Sequence, residues 1–134
     1  MTERLYLPTL AELIDRLSIV QLKELKIPEH RAEYTEEIKL IMHDIDMICN
    51  QQKLDMTAKT IRDILLIAIF NLSIWQNEGN FRKGIKEGND LELTHGLNSL
   101  RNQAKNRIQE VIGGRRDYKL DNVQAFPQWI PSDY

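Results

Sequence analysis

The chain has a single cysteine, Cys49, in 134 residues, so no internal disulfide can form and the thiol fits a reducing compartment. At an apolar helix position it reads as a small core residue. An excess of charge of either sign is also missing. Lys and Arg number 18 against 20 Asp and Glu, a net charge of −2, which argues against a general binder of nucleic-acid polymers or membrane surfaces. No apolar run is long enough to span a membrane. The longest, ILLIAIFNLSIW at 64–75, is broken by Asn71 and Ser73 and falls short of the roughly 20 residues required. The opening MTERLYLPTLAELID carries Glu3 and Arg4 and no long apolar stretch before Glu12, so no signal peptide is expected. These absences predict a soluble, cytoplasmic protein. Enzyme signatures are equally scarce. No nucleophile elbow or paired-cysteine zinc motif occurs, and Gly113-Gly114 ends a helical pattern rather than opening one as a phosphate loop would.

What is present is helical periodicity. Apolar residues recur at steps of three and four over most of the length, without sustained strand-like alternation. At 42% hydrophobic residues, one domain over 1–134 can bury about two thirds of its unfolded surface. Thr9 and Glu12 have capping-box spacing ahead of a first helix reaching about Lys26, with Leu10, Leu13, Ile14, Leu17, Val20 and Leu25 inward. Pro28 breaks it. A second helix over roughly 29–52 carries a seam of Tyr34, Ile38, Ile41, Ile45 and Ile48. A long third helix, about Thr57 to Lys86, is apolar nearly all round from Ile61 to Trp75, which demands cover on every side. Asn89 and Glu92 open a fourth, with Leu93, Leu97, Leu100, Ala104, Ile108 and Val111 inward. The tail after Gly114 holds two prolines and four aromatics, and Phe126, Trp129, Ile130 and Tyr134 are expected to pack on the bundle or on a partner subunit. The expectation is an all-α, antiparallel four-helix bundle with an extended aromatic tail, assembled at least as a dimer.

The candidate chemistry lies in three polar stripes. Glu12, Asp15 and Arg16 share one side of the first helix; Trp75, Glu78 and Arg82 share a stripe of the third; Asn98, Arg101 and Lys105 align on the fourth. Glu78 and Arg82 are spaced to pair. Arg101 and Lys105 would repel unless an anion or carboxylates lie between them. Arginine's planar fork suits phosphate, and Trp75 offers a flat face for a base or sugar. For each residue taken alone, a salt-bridge network pinning helix ends is the simpler reading. No metal or cofactor is expected. His43 and Asp44 in IMHDID point about 100° apart on a helix, so a solvated face is the simpler reading, and His30 and His95 lack metal-spaced partners. All-helical nucleotide pyrophosphatases hold magnesium on acidic pairs from two helices. Here Glu36, Glu37, Asp44 and Asp46 miss a common stripe, and the third helix offers only Asp63 and Glu78.

The stretches LAELIDRLSIVQLKE, LSIWQNEGNFR and LNSLRNQAKNRI resemble a loose family of uncharacterised all-helical proteins that occur near bacterial surface-polysaccharide glycosyltransferases and in tailed phages. The pattern of that family runs Gly-Glu-Leu-Ile-Asp-Lys, then Leu-Trp-x-x-Glu-x-x-x-Arg, then Asn-Asp-x-Arg-Ala-x-x-Lys-x-x-Ile. It falls on Glu12, Asp15, Arg16, Trp75, Glu78, Arg82, Asn98, Arg101, Lys105 and Ile108, with Ala11, Arg16, Ser99 and Asn102 departing from it. GGRRDYKLD also looks like the ending of the phage members. The resemblance covers residues 9 to about 121 and implies no established activity. A phage origin would place the chain in the host cytoplasm, where sequestering a host immune signalling nucleotide would be a purpose needing affinity and no chemistry.

Three functions follow. The first is a binding protein for a phosphate-bearing small molecule (a nucleotide, cyclic nucleotide or nucleotide-sugar): Arg82, Arg101 and Lys105 meet the anion, Trp75 stacks, and Glu78 and Asp15 orient the cations. The second is an enzyme or enzyme's helper acting on nucleotides or sugars through Glu12, Asp15 or Glu78. The third is a structural or protein-interaction module in which the polar stripes fix helix register. The first depends on Asp15, Arg82 and Lys105 converging in space.

Overall fold

The computed structural model describes residues 7–54, 56–84 and 91–112. Among these residues four helices make up an all-α bundle: α1 (Leu10–Lys26), α2 (Arg31–Gln52), α3 (Ala58–Arg82) and α4 (Leu91–Ile112), with a 3-10 turn over Pro28–His30. Thr9 caps α1 as its spacing predicts. Its hydroxyl oxygen accepts from the Glu12 backbone N–H at 3.2 Å and donates to the Glu12 carboxylate at 3.1 Å. Lys53 closes α2 in the left-handed region at φ 49°. The third helix stops at Arg82 rather than Lys86. The Lys83 N–H bonds back to the carbonyls of Gly79 and Asn80, and Gly84 at φ 80° then takes the left-handed turn that glycine adopts without strain.

Cross-helix bonds fix the directions. Arg16 meets Glu37 and Thr35 meets Glu24, so α2 runs antiparallel to α1. Thr94 meets Asn77, Arg101 meets Asn71 and Arg107 meets Asp63, so α4 runs antiparallel to α3. Gln109 accepts from the Ala11 N–H and Lys105 meets Asp15, so α1 is antiparallel to α4 and therefore parallel to α3. α1 sits centrally, with α2 on one side and the α3–α4 pair on the other.

The main core gathers Leu10, Ala11, Ile14, Leu66, Ile67, Phe70, Ile74, Leu97, Leu100, Ala104 and Ile108; Leu13, Val20 and Ile41 form a second cluster between α1 and α2. The periodic faces of α1, α2 and α4 point inward as expected, with three corrections. Leu25 is exposed, because it lies five residues past Val20 and so about 140° round the helix. Val111 is exposed because it lies level with the first turn of α3, where its neighbour runs out. The middle of α3 is covered on one side only. Ile61, Leu65, Ile69 and Leu72 are exposed, since α3 packs on α4 and α1 while α2 packs chiefly on α1. The tail, the Asn89 cap and Lys86 lie outside the described residues. Among the described residues no helix is long and apolar enough to cross a membrane.

Candidate functional site

Asp15 is the meeting point of three helices. It stands on the inward face of α1, one turn after Ala11 and one residue past Ile14, so the packing that buries those two carries its carboxylate inside. Asn71 of α3 donates to Asp15 Oδ1 at 2.8 Å and lies 3.4 Å from Ser18 Oγ. Arg101 of α4 donates through Nη1 to Asn71 Oδ1 at 3.0 Å and holds Nε 3.9 Å from Asp15 Oδ1. Lys105 Nζ, one turn on, lies 3.5 Å from Asp15 Oδ2. A carboxylate therefore separates the two cations, which is how Arg101 and Lys105 sit in line without repelling. The side chains of Asp15, Arg101 and Lys105 are all more than four-fifths buried, so the interaction is poorly screened by solvent.

The Lys105 contact is looser than the roughly 2.7–2.9 Å of a tight charge-assisted bond. Among the described residues Arg101 Nε is buried without a hydrogen-bond partner of its own. The cluster thus has donors that Asp15 does not fully use.

A groove of about 330 Å³ opens beside it, lined by Glu12, Asp15, Arg16, Lys23, Glu37 and Lys105 together with apolar Leu13, Ile19 and Val20. Arg16 is exposed at the rim, where Nε and Nη2 donate to Glu37 Oε1 at 3.2 and 3.0 Å. Three cations and three carboxylates line the opening, so it can meet an anion and hydroxyl groups together. No protein-family model, curated protein or solved structure matches this chain.

Of the nine residues chosen from sequence, five belong to this region: Glu12, Asp15, Arg16, Arg101 and Lys105. Asn98 is half-buried one turn before Arg101. Trp75, Glu78 and Arg82 are carried away from the groove. Asn71 marks the level of Asp15, and Arg82 lies eleven residues beyond it, about 16 Å along the helix axis. Glu78 and Arg82 are exposed, and among the described residues no hydrogen bond or ion pair joins them. Trp75 is half-buried and does not line the groove. The convergence expected of Asp15, Arg82 and Lys105 therefore holds for Asp15 and Lys105, and Arg101 takes the place given to Arg82. Asn71, Ser18, Lys23 and Glu37 are not among the nine. Asn71 had a signal: it is the first polar side chain after seven apolar ones on α3. Lys23 and Glu37 had none, because a charged residue on an amphipathic helix is ordinarily a solvated one.

Proposed function

We propose that this chain binds a phosphate-bearing small molecule, such as a nucleotide, cyclic nucleotide or nucleotide-sugar, in the groove between α1, α2 and Lys105. The observation that carries the reading is the arrangement of Arg16, Lys23 and Lys105 around one opening of about 330 Å³, within the range of small-ligand sites. Phosphate oxygens meet the cations. Glu12 and Glu37 accept from sugar or base donors, and Leu13, Ile19 and Val20 supply the apolar lining. Such a site holds its ligand by affinity alone, which suits sequestration of a signalling nucleotide better than turnover.

Titration calorimetry against a panel of nucleotides, cyclic nucleotides and nucleotide-sugars tests it. Binding is expected, weakened roughly tenfold or more in Lys23→Ala and Arg16→Ala, whose side chains lie outside the buried core. No heat with any member of the panel, from protein whose circular dichroism is helical, would overturn the reading.

One observation favours a structural role instead: Asp15, Asn71, Arg101 and Lys105 already satisfy much of one another across three helices. In that case double-mutant cycles between Asp15 and Lys105 show stability coupling, and no panel member shifts the melting temperature.

A further inference from the structure

The outer face of α3 is built for a second helix. Ala58, Ile61, Leu65, Ala68, Leu72, Trp75 and Gly79 recur at alternating steps of three and four, the apolar seam of a coiled coil sustained over three heptads. In the protomer this seam faces away from α1 and α4. The first five of these residues are exposed, Leu65 at 58%, while Trp75 and Gly79 are half-buried. Ile69, also exposed, widens it. A seam of this length is not the scatter of single apolar residues that any surface tolerates. Gly79 sharpens the point. A glycine inside a helix costs roughly 1 kcal/mol against alanine. Yet a Cβ built there meets nothing within 4 Å among the described residues, so none of these neighbours requires it.

We infer that a second copy of this chain covers the seam, with the two α3 helices antiparallel about a two-fold axis at Ala68. The layers are self-complementary in that alignment. Leu65 stands level with Leu72 of the partner subunit, Ile61 with Trp75 of the partner subunit, and Ala58 with Gly79 of the partner subunit. Large side chains meet large ones at intermediate layers, while Ala68 at the centre and the Ala58–Gly79 ends let the backbones approach. Charge selects the direction. A parallel pair would set Lys59, Arg62 and Arg82 level with their own copies. The antiparallel pair separates the two Arg62 side chains by about 18 Å along the axis, beyond the screening length at physiological salt. A two-fold contact uses the same patch twice and leaves no half of it uncovered.

Sedimentation equilibrium of the full chain is expected to show a species of twice the 15.7 kDa chain mass. Leu65→Glu, at a position outside the core, is expected to raise the dimer dissociation constant roughly 100-fold or more, because the two-fold axis places the charge in the seam twice, while the circular dichroism stays helical. Orientation is read by cross-linking in a Cys49→Ala background. Ala58→Cys mixed with Gly79→Cys is expected to give the mixed disulfide in excess over either homodimer, since a disulfide needs Cα atoms within about 7 Å. A chain that stays monomeric at its highest soluble concentration overturns the inference, whether the tail or nothing covers the seam. So does a dimer whose mass Leu65→Glu leaves unchanged, or cross-linking that favours the homodimers. Should Leu65→Glu fail to fold, the cross-linking pattern decides alone.

Discussion

The two faces of α3 reverse the usual division of a helix. Its inner face buries Thr60, Asp63, Asn71 and Asn77 among Ile67, Phe70 and Ile74, while its outer face exposes Ile61, Leu65, Ala68, Ile69 and Leu72. On the inner side Thr60 bonds locally to Thr57, and the other three polar groups reach neighbouring helices. Asp63 accepts from Arg107 at 2.9 Å, Asn71 joins Asp15 to Arg101, and Asn77 donates to Thr94. These bonds recur along the α3–α4 contact and set how far one helix may slide on the other. Apolar contacts alone tolerate neighbouring registers; a buried polar group left without its partner costs the full desolvation of that group. The outer face carries no such constraint in the protomer. The inside of α3 specifies alignment, and in the dimer proposed above the outside supplies the association energy.

The largest loss that would break this contrast falls on Asp15. Asp15→Ala removes the one carboxylate that, among the described residues, pairs with Arg101 and Lys105, and it leaves Asn71 only the longer contact to Ser18 Oγ. Both cations are mostly buried, so a destabilisation of about 3 kcal/mol is expected, measured by urea unfolding. A loss under about 1 kcal/mol would show that water replaces the carboxylate freely and that register is set elsewhere. Asp63→Ala comes next. Asp63 is buried, but Arg107 keeps more exposure and can turn to solvent, so about 2 kcal/mol is expected. An equal loss for the two would mean that the three-helix junction adds nothing to a simple pair.

Much of this was readable beforehand, and the gaps have physical causes. Three- and four-residue spacing is a property of one helix, so the inward faces of α1, α2 and α4 followed from it, as did the Thr9 cap from its local sequence. The same spacing marked Asp15, Arg101 and Lys105 as aligned on their own helices. Which stripe faces which is a matter of register between helices, and no local pattern encodes it. Trp75, Glu78 and Arg82 form a stripe as regular as Asn98, Arg101 and Lys105, yet the chain sets them past the end of the junction. The position of α2 was hidden for the same reason. Tyr34, Ile38, Ile41, Ile45 and Ile48 say that one face is apolar, and only the packed molecule shows that it is spent chiefly on α1, leaving α3 open. The early stop of α3 was within reach, because Gly84 could be read as a helix terminator as well as a weak helix residue.

A smaller effect separates local from tertiary support. Thr9→Ala removes the acceptor for the Glu12 N–H at the start of α1 and is expected to cost about 1 kcal/mol. Hydrogen exchange is the sharper readout. Protection should fall at the first turn of α1 and persist at Phe70 and Ala104, which lie in the main core. Uniform loss of protection would tie the cap to the whole bundle rather than to one helix end.

The smallest expected effect on stability belongs to Arg16, and it bears most on function. Its side chain is 66% exposed, and its partner Glu37 is one-third exposed, so the pair is a solvent-screened surface bridge despite two hydrogen bonds. Such pairs contribute about 0.5 kcal/mol or less, and Arg16→Ala should unfold in urea almost as the parent does. Binding should respond differently. Arg16 stands at the rim of the groove, and losing a cation there removes a direct contact with an incoming phosphate while freeing Glu37 to repel it. A variant of near-native stability with anion affinity lowered roughly tenfold would separate the rim, which meets ligand, from the buried Asp15 junction, which holds the helices. Equal small changes in both quantities would assign Arg16 to neither, and the groove would lose the cation best placed to admit an anion.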